Sequence, residues 1–309
     1  MSELNEILNR RMAFKRAVGA CTLSLHALFS TRNGLAKIVP GERIAVFDTE
    51  TVSMLLSIGI TPMAMLGKEK YRQRSEFPAL PESIISLGTK DVNFELLDQL
   101  RPTLIILNEG QAGYPFGHVG ASFRGIAPFY VSRSYRMDSR TLVGMRAEFL
   151  QLADLVDRRE TAERLLAGFD AAIRATRNKL SRHENRPVFL FSFIDHWTIQ
   201  IFCESGTQHE ILELIGLENA YKRRGRYGYV HTGIDALAAV PEAQLVVIGP
   251  IPSAARKVMT SNPLWKALPA VKEKRLVELP PLSRFGSVPV VTRLVALLGE
   301  RLPAGREAG

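Results

Sequence analysis

Two stretches of the chain carry the same order of apolar and polar positions, 141 residues apart. Residues 93–107 read Asn-Phe-Glu-Leu-Leu-Asp-Gln-Leu-Arg-Pro-Thr-Leu-Ile-Ile-Leu, and residues 234–248 read Ile-Asp-Ala-Leu-Ala-Ala-Val-Pro-Glu-Ala-Gln-Leu-Val-Val-Ile. Each predicts a short helix that stops at a proline and enters an aliphatic run suited to a buried strand. Leu96 matches Leu237 and Leu104 matches Leu245 at one offset, while Pro102 and Pro241 differ by two places. Around the first copy, Arg43–Phe47 predicts a strand, Thr51–Gly59 a helix closed by glycine, and the segment from Thr61 a second strand. Pro78, Pro81 and Gly88 punctuate a loop, and Phe129-Tyr-Val131 supplies a last strand. Helices between strands imply a largely parallel sheet. Val188–Phe193 opens a second set of the same kind.

No proline occurs between Phe129 and Arg186, and Leu142, Met145, Phe149 and Leu152 recur at helical spacing. Asp157-Arg-Arg-Glu160 has the spacing of a capping box, which predicts a second helix running to about Arg182, roughly 35 Å at 1.5 Å per residue. The expected fold is therefore α/β, with two Rossmann-like lobes of largely parallel strands joined by a long backbone helix. The expected boundaries are 37–139 for the first lobe, 140–183 for the connecting helices and 184–309 for the second lobe. A cleft between two lobes is the first place to look for a ligand.

Residues 1–36 have a separate character. Arg10-Arg11 precede Phe14-Lys15, an apolar stretch runs from Ala17 to Phe29, and Gly34-Leu-Ala36 places small residues before Lys37. This is the layout of an export signal, and the arginine pair resembles a twin-arginine signal with its Phe one place late. The alternative is an amphipathic first helix of the mature fold. Val18-Gly-Ala-Cys21 looks like a lipoprotein box, but only four residues separate Arg16 from the cysteine. The stretch is too short to span a bilayer.

The formal charge of +9 changes this picture little: residues 1–36 hold five basic and two acidic residues, leaving an excess of six. That excess favours anionic ligands without implying nucleic acid, and no basic run is interleaved with aromatics. Cys203, the one cysteine beyond residue 36, has no partner for a disulfide in the mature chain and is expected to be a small buried residue at a strand end.

Enzyme signatures are missing. The chain has no phosphate-binding Gly-rich loop ending in Lys-Ser/Thr, no dinucleotide fingerprint, no paired-cysteine metal motif and no His-Glu-x-x-His. Gly120-Ala-Ser-Phe-Arg124 fails a nucleophile elbow at its last position. The predicted carboxyl ends of strands are where a parallel α/β lobe binds ligands. They carry Asp48-Thr49-Glu50, Asn108 to Tyr114, Ile194-Asp-His-Trp197 and Gly249-Pro250. Asp48, Glu109, Asp195 and His196 suit a bare metal ion in type but lack the paired histidines such sites recruit, so helix capping is the competing reading.

Ile84-Ile-Ser-Leu-Gly-Thr-Lys-Asp-Val-Asn-Phe-Glu-Leu-Leu-Asp-Gln-Leu-Arg-Pro-Thr-Leu-Ile-Ile resembles a block of class III periplasmic binding proteins: Gly, a variable loop, Asn-x-Glu, two leucines, Lys/Arg-Pro and a strand. The resemblance extends through Tyr71-Arg72, Leu80-Pro81, Gly206 to Asn219, Gly233-Ile-Asp-Ala-Leu and Asn262-Pro-Leu-Trp-Lys-Ala-Leu-Pro269. It is nearest to the ferric hydroxamate-binding type, which delivers iron-siderophores to an inner-membrane ABC permease. It implies a periplasmic, monomeric binding protein without catalysis or cofactor, whose ligand is a ferric siderophore that itself holds the iron. The same fold also serves binders of bare metal, haem or cobalamin.

Carried across, the resemblance places ligand contacts at Lys90, at Tyr227 and Phe285 as aromatic walls, and in the loop from Gln111 to Tyr114. Aromatic positions of the hydroxamate pocket fall on Thr49, Arg74 and Ser283 or Arg284, which implies a more polar and basic cleft, suited to a citrate-based carboxylate-hydroxamate. Trp197, at a predicted strand end, is a further candidate, whereas Trp265 has the helical spacing of a core residue. Lys222-Arg-Arg-Gly-Arg226 reads as a solvated loop with Tyr227 and Tyr229 turned inward. Asp235 lies near the position the family uses to dock on the permease, and no acidic partner occurs between Tyr114 and Gly120.

Overall fold

A computed structural model describes residues 43–302 apart from 76, 110–122, 124, 134–140, 182–185, 226 and 285. The proposed export signal lies outside the described residues, as do Gln111, Tyr114 and Phe285. Elements are numbered in chain order among the described residues.

The N-terminal lobe holds β1 (Ile44–Val46), α1 (Thr49–Ser57), β2 (Ala64–Met65), α2 (Lys68–Arg74), β3 (Ile85–Ser86), α3 (Phe94–Gln99), β4 (Leu104–Asn108) and β5 (Phe129–Ser132). Its sheet has the order β3-β2-β1-β4-β5 with every pairing parallel. Strand residues are apolar on both faces because helices cover both. Ala45, Phe47, Ile105 and Leu107 pack with Leu97 and Phe123, and the alternating Ile44, Val46, Leu104 and Ile106 are buried as well.

The connector is α4 (Leu142–Leu155) followed by α5 (Arg159–Leu180), whose 22 residues span about 33 Å. The capping box predicted at Asp157 does not form. Asp157 has φ +52, and α5 starts after Arg158 with no side-chain cap, because the tight turn from α4 requires a left-handed residue there. Arg146 of α4 makes a two-pronged ion pair with Asp170 of α5 at 2.7 and 2.8 Å.

The C-terminal lobe holds β6 (Val188–Phe193), β7 (Thr198–Phe202), α6 (Thr207–Leu214), β8 (Tyr229–Gly233), a 3-10 turn (Ile234–Ala239), β9 (Gln244–Gly249), α7 (Ser253–Ser261), α8 (Pro263–Ala267), α9 (Pro269–Lys272), β10 (Leu276–Pro281) and α10 (Val288–Arg301). The sheet order is β10-β9-β6-β7-β8, and β7 runs antiparallel to both neighbours. The repeat seen in sequence is structural. In each lobe its helical turn leads to a strand lying parallel beside the lobe's first strand, Leu104 opposite Ile44 and Leu245 opposite Phe189. The second copy's helix is 3-10 rather than α. Trp265 is 1% exposed and packs near Phe193 in the core of this lobe, and Cys203 is fully buried just past β7.

Helix α10 belongs to the C-terminal segment yet packs on α5, where Thr176 Oγ1 donates to the Val295 carbonyl at 3.3 Å. It also packs on α1 of the N-terminal lobe. The hydroxyls of Ser53 and Ser287 meet at 2.5 Å, 234 positions apart in sequence. The start of α4 is tied to the other lobe by the Leu142 amide, which donates to Glu210 of α6 at 2.5 Å. These contacts bring the first turn of α1 against the chain between β10 and α10.

Candidate functional site

That junction gathers the chain's unusual charges. Helix α2 presents Lys70 and Arg74 one turn apart, a like-charge spacing that weakens a helix by a few tenths of a kcal/mol unless something else makes use of it. Lys90 comes from the loop after β3. Gly88 there has φ +117, and a Cβ would stand 2.2 Å from the Asp91 carbonyl oxygen, so the turn that carries Lys90 requires glycine. Arg284 arrives from the other lobe, its main-chain carbonyl accepting from Gln208 Nε2 of α6 at 3.0 Å.

These side chains lie within electrostatic reach of one another. Partial burial lowers the pKa of Lys70, and the charges of Arg74, Arg284 and Lys90 lower it further while Glu50 opposes them. Burial, and then Arg74, lowers the pKa of Arg284, which Tyr229 partly restores. Among the described residues none of the four cations has a carboxylate within ion-pair distance. A group of positive charges without ion-pair partners, of which Arg284 is half-buried and the others exposed, is a receptor for an anion.

Aromatic rings border the group. Tyr227, Tyr229 and His231 stack in sequence, with ring centroids 6.2 and 5.4 Å apart. Tyr229 and His231 alternate on one face of β8, opposite Phe202 and Gln200 of β7. The approach to them is fixed by Gly206 and Gly228, where a Cβ on Gly206 would lie 2.8 Å from the Gly228 Cα.

Three carboxyl groups, Asp48, Glu148 and Asp195, have structural roles or raised pKa values. Asp48 caps α1, accepting from the Thr51 amide at 2.7 Å and the Thr51 hydroxyl at 2.6 Å. Burial, with the nearby Glu50, pushes its pKa up to about 7. Glu148 of α4 is 3% exposed, and burial raises its pKa too. Asp195 accepts from the amides of Trp197 and Thr198 at 2.7 Å, closing the β6–β7 hairpin. Asp48 and Asp195 thus serve as caps. Among the described residues no group of three His, Cys, Asp or Glu side chains is placed to hold a metal ion.

The structure therefore brings Arg74, Lys90 and Arg284 within electrostatic reach of Lys70, and Tyr229 within reach of Arg284, while Tyr227 stacks on Tyr229 but is 43% exposed rather than turned inward. Trp197 is elsewhere. It is 61% exposed on the β6–β7 turn, next to Thr198, which pairs with Gly233, whereas Tyr229 pairs with Phe202 at the far end of β7, about 13 Å along the strand. Asp235 is exposed on the 3-10 turn after β8. Lys70 was missed in sequence, although its spacing of four from Arg74 was the available signal. Glu50 was noted only as a strand-end residue.

A separate cavity of about 560 Å³ lies on the C-terminal lobe, lined by Glu204, His209, Glu213, Glu218, Lys222 and Arg224 among others. Its Lys222 already pairs with Glu218 at 2.7 Å and approaches Glu204 at 4.0 Å. A cavity that neutralises its own charge is a weaker receptor than the unpaired cations between the lobes.

Comparison with known proteins decides the family. Residues 44–282 match the periplasmic binding protein family. The chain belongs to that family. It is a periplasmic binding protein rather than an enzyme. Over 302 residues it is 26% identical to the iron(3+)-hydroxamate-binding protein FhuD of Escherichia coli K12, covering 96% of this chain and 97% of the relative. It is 21% identical over 238 residues to the Fe(3+)-citrate-binding protein YfmC of Bacillus subtilis 168, covering 77% and 72%. The solved siderophore-binding protein FhuD of Vibrio cholerae, bound to Fe3+-Desferal, superposes with a TM-score of 0.76 at 23% identity, covering 84% of this chain and 97% of that one. That likeness covers both lobes and their connector.

Proposed function

We propose that this protein captures a ferric siderophore in the cleft between its lobes and delivers it to an inner-membrane ABC importer, after export directed by residues 1–36. The observation that supports the reading is the approach of the Ser283–Arg284 segment of one lobe to the other, where Arg284 lies within electrostatic reach of Lys70 and Arg74 and of Tyr229, on which Tyr227 stacks. Relatives named for ferric hydroxamate and ferric citrate support it. The siderophore supplies the oxygen ligands of the iron, and the protein supplies charge, aromatic surface and shape. Arginine forks match carboxylate and hydroxamate oxygens, and tyrosine faces cover the organic shell. With the lobes tied through Ser53–Ser287 and α10, capture needs little closure, which limits its entropic cost.

Titration of the mature protein with ferric siderophores, followed by quenching of tyrosine and tryptophan fluorescence, tests this. Saturable quenching at submicromolar concentration is the expected result, and no response to hydroxamate, citrate-based or catecholate complexes would overturn it. Asp235 is proposed to dock the loaded protein on the permease. Asp235→Lys is then expected to abolish siderophore-dependent uptake in cells while leaving affinity within about twofold, and normal uptake by this variant would remove Asp235 from the docking surface.

A further inference from the structure

One buried carboxylate takes no part in the function proposed above, although it lies at the centre of the site. Glu50 is 2% exposed in the first turn of α1. One of its oxygens accepts from the Thr49 hydroxyl at 2.9 Å and the other from the Ser283 hydroxyl at 2.8 Å. Ser283 immediately precedes Arg284 and belongs to the opposite lobe, 233 positions away in sequence. Glu50 therefore anchors the segment that carries Arg284 to the N-terminal lobe. Its charge also reaches Lys70, where it opposes the lowering by burial and by the other cations, and it adds to the raised pKa of the neighbouring Tyr71 hydroxyl.

A buried charge is tolerated when opposite charge and hydrogen bonds compensate it. Glu50 has the hydrogen bonds, and through space it cancels part of the positive field felt at Lys70. Glu50 is the carboxylate among the charges that act on Lys70, against Arg74, Arg284 and Lys90, so positive charge is in excess there. Resting on the reading of the cleft as a siderophore site, we propose that Glu50 is the resident counter-charge that sets the charge class of the ligand: the cleft selects a net-anionic, carboxylate-bearing ferric complex over a neutral one, and Glu50 tempers that selection while holding Arg284 in place. The residue is a specificity determinant that acts through the cations. Lys70, which feels Glu50 and the other three cations together, is the group through which the balance is felt most directly.

The test compares two probes, the anionic ferric complex of a citrate dihydroxamate and neutral ferrichrome, on wild type, Glu50→Gln and Lys70→Met, by calorimetric titration at low and high salt. Wild type is expected to bind the anionic probe at least tenfold more tightly, with a preference that shrinks as salt rises. Glu50→Gln keeps an acceptor oxygen for Ser283 and removes the charge, so it should raise affinity for the anionic probe about five- to tenfold and move ferrichrome by less than twofold. Lys70→Met should lower affinity for the anionic probe by a similar factor, and for ferrichrome by less. Equal or tighter binding of ferrichrome by wild type would overturn the charge selection while leaving siderophore capture standing. A Glu50→Gln variant that shifts both probes alike has lost structure rather than charge, which also overturns the proposal. Binding of neither probe by wild type would remove the siderophore reading, and this inference with it.

Discussion

Replacing Arg74 and Arg284 together by alanine is expected to weaken binding of an anionic ferric siderophore by about two to three orders of magnitude, with melting temperature nearly unchanged. A charge-assisted hydrogen bond from a guanidinium contributes about 1.5–3 kcal/mol when its partner is partly withdrawn from water. Arg284 meets that condition because it is only partly exposed and its pKa is lowered by burial and by Arg74. Removing either arginine also relieves the repulsion on the other, so the single substitutions should each cost less than half of the double change. Arg284→Lys should recover part of the loss for an anionic ligand, since it restores charge without the planar fork. Calorimetric titration of the two single variants and the double variant checks this, and wild-type affinity in the double variant would exclude the arginines from the site.

Asp48 gives the second large effect, on stability rather than binding. Its folded pKa of about 7 lies well above the model-peptide value of 3.8. Between about pH 4 and pH 7 the folded protein keeps a proton that the unfolded chain has released, so stability is greatest at the acidic end of this window and falls as pH rises through it. Above the window the full cost of an ionised buried carboxylate is present, on the order of 4 kcal/mol at 1.36 kcal/mol per pKa unit. Asp48→Asn removes the ionisation and leaves a side chain that caps a helix equally well. Urea unfolding is therefore expected to show the variant more stable than wild type at pH 8, by up to about 3 kcal/mol, and equal to it near pH 4. Some slope should survive, because Glu148 is raised in the same direction. A wild-type profile that is flat from pH 4 to 7 would contradict the assignment.

The fold was legible where one element carried its own pattern. Leu96 and Leu237, Leu104 and Leu245 mark the same helix-to-strand unit because an aliphatic strand covered on both faces leaves no polar alternation to obscure it. Trp265 was legible as core from its helical spacing. The direction of β7 was not, since a short strand has the same period in either direction and only the turn at Asp195 reverses the chain. The cap predicted at Asp157 failed because the tight α4–α5 turn places that residue at φ +52 and α5 starts after Arg158 instead.

The site was legible in its parts more than in its arrangement. Arg74, Lys90, Tyr227 and Arg284 were named from motif positions, whereas the contact of Glu50 with Ser283 joins residues 233 positions apart and leaves no trace in local spacing. Lys70 was hidden for a different reason. On a helix with exposed basic residues at 70, 72 and 74, only the tertiary approach of Arg284 marks Lys70, beside Arg74, as part of the site. Trp197 shows the converse, a strand-end residue of the right chemistry that lies exposed on the β6–β7 turn, at the other end of β7 from Tyr229.

The most direct measurement is an anomalous-scattering map at the iron edge from crystals of the mature protein grown with an anionic ferric siderophore. The account predicts one strong iron peak between the end of α2 and the Ser283–Arg284 segment, bordered by Tyr229, with the ligand's oxygens rather than protein atoms around the metal. An iron peak in the cavity lined by Glu204, His209 and Lys222, or beside Trp197, would contradict it.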